Sequence, residues 1–309
     1  MNINYPPFPV RTRVIIDTDA KNEADDQFAI AQGLLSPSLD VRGIVPVHFG
    51  TRPNRSSQSM LDSKREVELM LDLLDLDGEC VVRDGASMAL PDFKTPVDTP
   101  GARLIIEEAN RDDTSPLFVL FLGPLTDMAS ALLLEPSIAE KKNITVVWIG
   151  GAEYEPRSHP VYWPEFNLSN DIAAANVVFS SAIKIWQIPM NVYMSLAVSY
   201  AELLTKVEPH GQLGNYLTRQ LFEWNSEHAS QIEYRALGDC AAVAVTLYPN
   251  CGHFQDRQGQ GFRFNGEYDG ISVGGPVRIY DSIDTRFVLD DLFAKIQLAA
   301  HTNNEHPEI

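Results

Sequence analysis

The sequence has no long apolar run, few cysteines and a deficit of positive charge. No stretch reaches the roughly 20 apolar residues that a membrane-spanning helix needs, and the opening residues MNINYPPFPVRTR lack the apolar core of a signal peptide. The cysteines Cys80, Cys240 and Cys251 have neither paired nor metal-type spacing, which predicts free thiols in a reducing compartment. We therefore expect a cytoplasmic protein with no membrane partner.

Basic residues are scarce: 24 Lys and Arg face 42 Asp and Glu, which gives a formal net charge of −18 over 309 residues. A nucleic acid is excluded as the expected partner, because its phosphates would be repelled. A cation, in contrast, can bind locally in such a field. The sequence also lacks internal repeats, low-complexity tracts and long linkers. With 44% hydrophobic residues it can bury a large core, and we predict one domain over residues 1–309.

Short apolar runs alternate with segments of helical period, such as residues 56–74 and 126–141. Runs without polar alternation indicate strands buried on both faces, as in a parallel sheet covered by helices. The pattern predicts βαβ units and an α/β fold with an open, mostly parallel sheet flanked by helices. FRFNGEYDG and PVRIYDSID predict a late hairpin, before a last helix near 286–300. The other predicted strands are RVIID (13–17), DVRGIVPV (40–47), ECVVRDG (79–85), LFVLFLG (117–123), ITVVWIGG (144–151) and AIKIWQIPM (182–190).

Five acidic residues follow the first predicted strand within ten positions: Asp17, Asp19, Glu23, Asp25 and Asp26. Like charges this close raise one another's pKa and destabilise the fold unless a cation or hydrogen-bond donors compensate. An acidic helix N-terminus explains Asp25 and Asp26 well, but it explains Asp17 and Asp19 less well. Carboxylates suit a hard cation such as Ca²⁺ or Mg²⁺, so the cluster indicates a cation site.

This cluster does not have the spacing of an EF-hand. Counted from Asp17, the sixth position is Asn22 instead of Gly and the twelfth is Phe28 instead of Glu. Any cation must therefore take ligands from remote segments. In an open α/β sheet, ligands bind outside the carboxyl ends of the strands, and there the sequence also places GPLTD (123–127) and a loop containing WPEFN (163–167).

A further motif is GDCA at 238–241, in which Asp239 precedes an Ala-rich segment. Taken alone, such an Asp is usually a helix N-cap. The triplet Glu165, Phe166 and Asn167 is, taken alone, equally compatible with a turn around a buried Phe. Each motif is weak by itself, and the information lies in their combination and order.

In that order, the motifs resemble the inosine-uridine nucleoside hydrolase family. They are a strand ending in Asp-x-Asp, an Asp-Asp pair opening the next helix, GPLTD, IGG, EFN and a late Asp-x-x-Ala. The resemblance extends over about residues 13 to 249, and more loosely to the end of the chain. It implies a nucleoside hydrolase-like fold and a homo-oligomer, either a dimer or a tetramer. It also implies a Ca²⁺-dependent hydrolase of purine or pyrimidine salvage, which cleaves the N-glycosidic bond of ribonucleosides to ribose and free base.

The resemblance also implies roles by position. Asp19 would, besides binding the ion, take a proton from a metal-bound water. Because cleavage builds oxocarbenium character on the sugar, the surrounding carboxylates would stabilise that charge. The ribose hydroxyls would be bound by Asp25, Glu165 and Asn167. The calcium ligands would be Asp19, Asp26, the backbone carbonyl of Thr126, and Asp239.

Three departures from the family pattern affect this assignment. The gap between Asp-x-Asp and Asp-Asp is five residues, AKNEA, instead of the usual three, so the loop must bulge and bring Lys21 or Glu23 toward the pocket. Gly238 stands where many members have a His that protonates the leaving group. The Asn that usually follows the second strand is displaced, since VHFGTRPN offers His48 and then Asn54. Asn54 is our candidate for that substrate-binding role.

With Gly238 in place of His, either the proton for the leaving base comes from another residue or protonation of the base matters little. Trp224 and His228 are four positions apart on a predicted helix ahead of Asp239. Trp224 would stack on the base, and His228 would donate the proton, because its ordinary pKa lies in the right range. The alternative is that Trp224 is a core residue and His228 a surface one. His48 and His159 are weaker candidates.

Two other functions remain open from the sequence. One is a non-catalytic ribose- or nucleoside-binding protein that keeps the metal site and lacks the acid. The other is a haloacid-dehalogenase-type phosphatase, which also begins with a strand ending in Asp-x-Asp. That family expects a further Asp soon after the late one, and residues 241–245 contain none. It also gives no role to Glu165 and Asn167.

Overall fold

The computed structural model of the protein describes residues 6, 8, 10–50, 58–153, 164–228 and 232–304. The strands of this part of the chain are β1 (Thr12–Thr18), β2 (Leu39–Pro46), β3 (Leu117–Phe121), β4 (Ile144–Ile149), β5 (Lys184–Ile188), β6 (Ala197–Ser199), β7 (Tyr234–Ala236), β8 (Gly252–Phe262) and β9 (Tyr268–Ile283). Seven of these strands form one sheet in the order β2-β1-β3-β4-β5-β9-β8.

Helices connect these strands. They are α1 (Asp26–Leu34), α2 (Ser59–Leu73), α3 (Pro100–Asn110), α4 (Thr126–Leu134), α5 (Phe166–Asn170), α6 (Ile172–Phe179), α7 (Met190–Tyr193), α8 (Tyr200–Lys206), α9 (Gly211–Glu227), α10 (Cys240–Leu247) and α11 (Thr285–Asn304). A 3₁₀ helix, Pro136–Glu140, follows α4. No helix in the described ranges is both long enough and apolar enough to span a bilayer.

Strands β1 to β5 and β9 pair in parallel. β8 pairs antiparallel with β9, and β6 and β7 form a separate antiparallel pair. Strand β4, ITVVWI, is buried along its whole length, because helices cover both faces of the sheet. One core cluster includes residues of α1, α2, α9, α10 and α11, and the other includes residues of α3, α4 and α6. The predicted α/β class, with an open and mostly parallel sheet, is confirmed.

Three predicted elements differ from the structure. Residues 79–85 form no strand but a single bridge between Ile44 and Val82, and their backbone hydrogen bonds to β2 are limited to those of Val81 and Arg83 with Ile44 and of Gly85 with Pro46. FRFNGEYDG is mainly a turn, in which the Arg263 N–H donates to the Glu267 carbonyl at 2.8 Å. Gly266 takes a φ of 82° in that turn, which glycine adopts without strain. The helix predicted over 126–141 stops at Leu134, ahead of Pro136.

The parallel arrangement of the strands determines where the polar loops that follow them lie. The carboxyl ends of parallel strands lie at one edge of a sheet, and the following helices begin there. The loops after β1, β3, β4 and β5 therefore converge with the start of α10 at the same edge. The acidic loop, GPLTD, PEFN and GDCA all lie on these segments.

Candidate functional site

A pocket lies at this edge of the sheet. Six residues singled out from the sequence are brought together in its wall, although they come from three distant segments of the chain: Asp19, Asp25, Asp26, Glu165, Asn167 and Asp239. The wall is completed by Asn22, Glu23, Leu122, Ile149, Phe166 and Tyr193. Six of these twelve side chains are Asp or Glu, so the wall is strongly acidic.

The carboxylates of Asp25, Asp26 and Asp239 form the centre of the acidic wall. Each offers an oxygen within 4.8 Å of the others. Burial, together with the charge of Asp25, raises the pKa of Asp26 to about 8, while the Thr18 hydroxyl donates to Asp26 Oδ1 at 2.5 Å and opposes the shift. Burial and the charges of Asp25 and Asp26 also raise the pKa of Asp239. Ionised together, these groups destabilise the fold unless positive charge is added.

Asp25 differs from its two neighbours because it is only half-buried. Burial and the nearby Glu23 raise its pKa to about 6, and the positive charge of Arg235 opposes this shift. Asp19 lines the same pocket but is not part of the close trio. The structure thus places Asp25, to which the resemblance assigns the ribose, next to two carboxylates assigned to the ion.

Asp17 is a further acidic group close to this site. It is completely buried, and among the described residues neither of its carboxylate oxygens has a hydrogen-bond partner. Burial raises its pKa first, and the charges of Asp127 and Asp19 raise it further. An orphaned buried carboxylate of this kind is compatible with a cation near the strand end.

Glu165 is a rigid part of the pocket wall. It caps α5 and accepts hydrogen bonds from the backbone N–H groups of Gly151, Asn167 and Leu168 at 2.8–3.1 Å. The Tyr193 hydroxyl donates to its Oε1 at 3.0 Å. Burial raises the pKa of Glu165, whereas these donors lower it. The side chain is held in one orientation without any salt bridge among the described residues.

Asn167 connects the ends of two strands. Its Nδ2 donates to the carbonyl of Leu122, directly after β3, at 2.6 Å and to that of Ile149, at the end of β4, at 2.8 Å. The amide is thereby fixed against the sheet edge, with its residue in the pocket wall. Such an arrangement preorganises a polar side chain for a ligand.

Thr126, the expected carbonyl ligand, begins α4 and is completely buried. Its hydroxyl donates to Asp171 Oδ2 at 2.8 Å and lies 3.0 Å from His48 Nε2. His48 Nδ1 accepts from the Gly50 N–H at 3.2 Å, and burial lowers the pKa of His48 to about 4. Both ring nitrogens are therefore engaged away from the pocket wall, which does not favour His48 as a proton donor.

The AKNEA loop, residues 20–24, contributes two side chains to the pocket wall, Asn22 and Glu23. Its member Glu23 lines the pocket and forms an ion pair with Arg235. Lys21, at a φ of 78°, instead lies 3.3 Å from Glu66 Oε2. The loop is anchored on α9: Gln220 Nε2 donates to the Ala24 carbonyl at 2.9 Å. The loop thus adds a carboxylate to the pocket wall, while its lysine lies outside that wall.

Trp224 and His228 share one face of α9, as their spacing predicts, but neither lines the pocket. Their rings stack at a centroid distance of 3.8 Å, and His228 Nδ1 lies 2.8 Å from the Trp224 carbonyl oxygen. The indole N–H donates to the carbonyl of Asn22, a pocket residue, at 3.0 Å. The Arg235 guanidinium lies 3.9 Å from the indole centroid. Trp224 therefore lies directly behind the wall residue Asn22, and His228 lies against Trp224. Asn54 and His159 lie outside the described residues.

The sequence reasoning missed Tyr193. This residue lies in α7, directly after β5, and is half-buried in the pocket wall. Burial and the adjacent Glu165 raise its pKa well above the ordinary value, so the hydroxyl stays protonated. Ligands bind at the carboxyl ends of parallel strands, and this rule located the other segments of the pocket. It also applies to the segment after β5, so the sequence did contain a signal for Tyr193.

The chain matches the family model described as inosine-uridine preferring nucleoside hydrolase over residues 14–261. Probable uridine nucleosidase 2 of Arabidopsis thaliana is 24% identical over 262 residues, covering 78% of this chain and 79% of that protein. The pyrimidine-specific ribonucleoside hydrolase RihA of Salmonella newport (strain SL254) is 28% identical over 188 residues, covering 56% and 58%. The solved purine-preferring ribonucleoside hydrolase from Gardnerella vaginalis shares the fold, with a TM-score of 0.75 and 21% identity, over 94% of this chain and 100% of that chain.

Proposed function

Since the chain belongs to the inosine-uridine preferring nucleoside hydrolase family, we propose that it is a calcium-dependent hydrolase that cleaves ribonucleosides to ribose and free base. The observation that carries this proposal is the pocket, in which three distant segments supply Asp19, Asp26, Glu165, Asn167 and Asp239 to one wall. A phosphatase of the haloacid-dehalogenase type would leave the Glu165 and Asn167 arrangement without a role.

The donor set fits a hard divalent cation. It consists of carboxylate oxygens, it is buried, and its close carboxylates raise one another's pKa, which a bound cation would relieve. We propose Asp26 and Asp239 as ligands, completed by Asp19 and the Thr126 carbonyl. Asp25 is the nearest further carboxylate. A cation bound there supplies the positive charge that makes a water molecule more acidic.

The side chains around this centre have separate tasks. Asp19 accepts the proton of the attacking water. Asp25, Glu165 and Asn167 bind the ribose hydroxyls, and the orientation of the last two is fixed by their hydrogen bonds to the ends of β3 and β4 and to the start of α5. The acidic wall stabilises the positive charge that develops on the sugar in the transition state.

On the base side, we propose that Trp224 stacks on the leaving base and that His228 donates the proton to it, with Asn54 as a further contact. The support is the spacing of the pair on α9 and its position directly behind Asn22 of the pocket wall. For these roles the rings must turn from each other toward the pocket when substrate binds.

The proposal extends to the cellular setting of the enzyme. Cys80, Cys240 and Cys251 are all free thiols, which favours a reducing compartment and thus a cytoplasmic salvage enzyme. Both core clusters pack on the same sheet, which supports a single domain. A homo-oligomer, dimer or tetramer, follows from the family resemblance, and light scattering of the purified protein measures it directly.

The test is release of free ribose from inosine, adenosine, uridine and cytidine, with calcium and after chelation. We expect ribose from at least one nucleoside, loss of release with chelator and recovery when Ca²⁺ is added back. Nucleoside binding without ribose release would contradict the hydrolase and indicate a binding protein. Phosphate release from phosphorylated substrates would indicate a phosphatase. Recovery with Mg²⁺ equal to that with Ca²⁺ would contradict the choice of ion.

A further inference from the structure

Gly238, the residue before Asp239, has no room for a side chain. A Cβ at this position would lie 2.8 Å from Tyr193 Cδ2 and 3.4 Å from Asp25 Oδ2. Carbon atoms in contact are ordinarily about 3.5–4.0 Å apart, so the ring would have to move. Gly238 is not among the described glycines with positive φ, and its backbone is therefore open to any residue. Glycine is required here by the Tyr193 ring and not by the backbone.

Tyr193 is at the same time the one side chain, among the described residues, that donates a hydrogen bond to Glu165. The other donors to Glu165 are backbone N–H groups, which side-chain substitution does not remove. Tyr193 thus contacts two parts of the pocket region: its ring lies against Gly238 and its hydroxyl against Glu165. Displacing the ring would disturb both.

We propose that Tyr193 is a positioning and specificity-determining residue, whose ring takes the space of a side chain at position 238 and whose hydroxyl holds Glu165 against the ribose. This inference rests on the proposed function for its substrate. Because the hydroxyl proton is committed to Glu165, Tyr193 does not protonate the leaving base. The pocket therefore recognises the ribose through Glu165, which Tyr193 holds in place. A proton for the leaving base comes from another residue.

The hydroxyl is tested with Tyr193→Phe, and Tyr280→Phe serves as the matched control. Tyr280 is buried and donates to the Pro249 carbonyl at 3.0 Å, outside the pocket wall. We expect Tyr193→Phe to lower kcat/KM for the best riboside roughly tenfold or more, as for loss of a hydrogen bond to a charged group. The fall should be smaller for one of the 2′-, 3′- and 5′-deoxy analogues, namely the one that lacks the hydroxyl bound by Glu165. Tyr280→Phe should leave the ratios among the four rates unchanged. The proposal is overturned if Tyr193→Phe lowers all four rates in the same proportion, as a general structural defect would, or lowers none of them.

The packing is tested by stability, without any substrate. Gly238→Ala should lower Tm clearly, whereas Gly275→Ala, with nothing within 4 Å of its added Cβ, should not. In a Tyr193→Ala background, Gly238→Ala should no longer lower Tm, because the ring is gone. Equal tolerance of Gly238→Ala and Gly275→Ala would overturn the inference that the ring occupies this space.

Failure of the hydrolase proposal can be distinguished from failure of the role proposed for Tyr193. If the unmodified protein releases no ribose from any nucleoside, the hydrolase proposal fails, and binding of D-ribose by calorimetry then reports on Glu165. Tyr193→Phe should weaken ribose binding roughly tenfold, with Tyr280→Phe unchanged. Equal ribose affinity in all three proteins, or none in the unmodified protein, would overturn the positioning role.

Discussion

Replacing Asp26 by Asn should change stability and metal binding in opposite directions. The substitution keeps the size of the side chain and an oxygen that can accept from the Thr18 hydroxyl, but it removes one of three close carboxylates. Without a divalent cation the folded protein is relieved of a repelling charge. With a cation present, the protein has lost a proposed ligand.

The magnitude follows from the pKa of Asp26, which burial raises from 3.8 to about 8. A group whose pKa is higher in the folded state binds its proton more tightly there, so it lowers stability progressively as pH rises from about 4 to about 8. At about 1.4 kcal/mol per unit, the full shift corresponds to roughly 5 kcal/mol at pH 8 and to between 1 and 2 kcal/mol at pH 5. Without cation, Asp26→Asn should therefore be more stable than the unmodified protein, by more at pH 8 than at pH 5.

Urea unfolding with chelator at pH 5, 6.5 and 8 measures this difference, and the exposed Asp77→Asn serves as control. With Ca²⁺ at about 100 times its Kd, the unmodified protein should gain about 2.7 kcal/mol, whereas Asp26→Asn should gain little and show no turnover. The reasoning is refuted if Asp26→Asn is the less stable protein at pH 8 in chelator. An unchanged calcium affinity in calorimetry would refute the ligand assignment.

Three further predictions concern substrate groups and individual side chains. If Asp25, Glu165 and Asn167 bind ribose hydroxyls, deoxyadenosine and deoxyuridine should react far more slowly than adenosine and uridine, since each unpaired polar group costs roughly 1–3 kcal/mol; equal rates would contradict the assignment. Asp19→Asn should lose turnover and weaken calcium binding, whereas Asp25→Asn should mainly raise KM. A larger loss of calcium affinity in Asp25→Asn than in Asp19→Asn would make Asp25 the metal ligand and Asp19 the ribose-binding residue. His228→Ala should lose activity on inosine but keep it on a riboside whose leaving group needs no proton, and equal activities on inosine before and after substitution would exclude His228 as the acid.

The residues from the sequence analysis that the structure brings together in one pocket wall are those whose position follows from chain direction. Asp19 and Asp26, Glu165 and Asn167, and Asp239 all lie at the carboxyl ends of strands or at the start of the next helix, and a parallel sheet brings such positions to one edge. Their meeting is therefore a consequence of the α/β alternation that was visible in the apolar runs. No knowledge of side-chain packing was needed.

Packing across the fold is what the sequence did not show. The spacing of Trp224 and His228 correctly placed them on one face of α9, but the rotation of that helix is set by the core residues Leu217 and Leu221, which turn the indole toward the AKNEA loop. The close contact between Tyr193 of α7 and Gly238 likewise depends on how two distant segments pack. Hydrophobic periodicity predicts neither the rotation of α9 nor this contact.

The anchoring of the acidic loop on α9 has a consequence for the order of folding. The hydrogen bonds from Gln220 to Ala24 and from Trp224 to Asn22 join residues that are 196 and 202 positions apart. During synthesis the first strand and its acidic loop therefore emerge long before their partner helix exists. The conformational entropy of the intervening chain has to be lost before these stabilising contacts can form. Until α9 has been made, the acidic loop therefore lacks both of these hydrogen-bond donors.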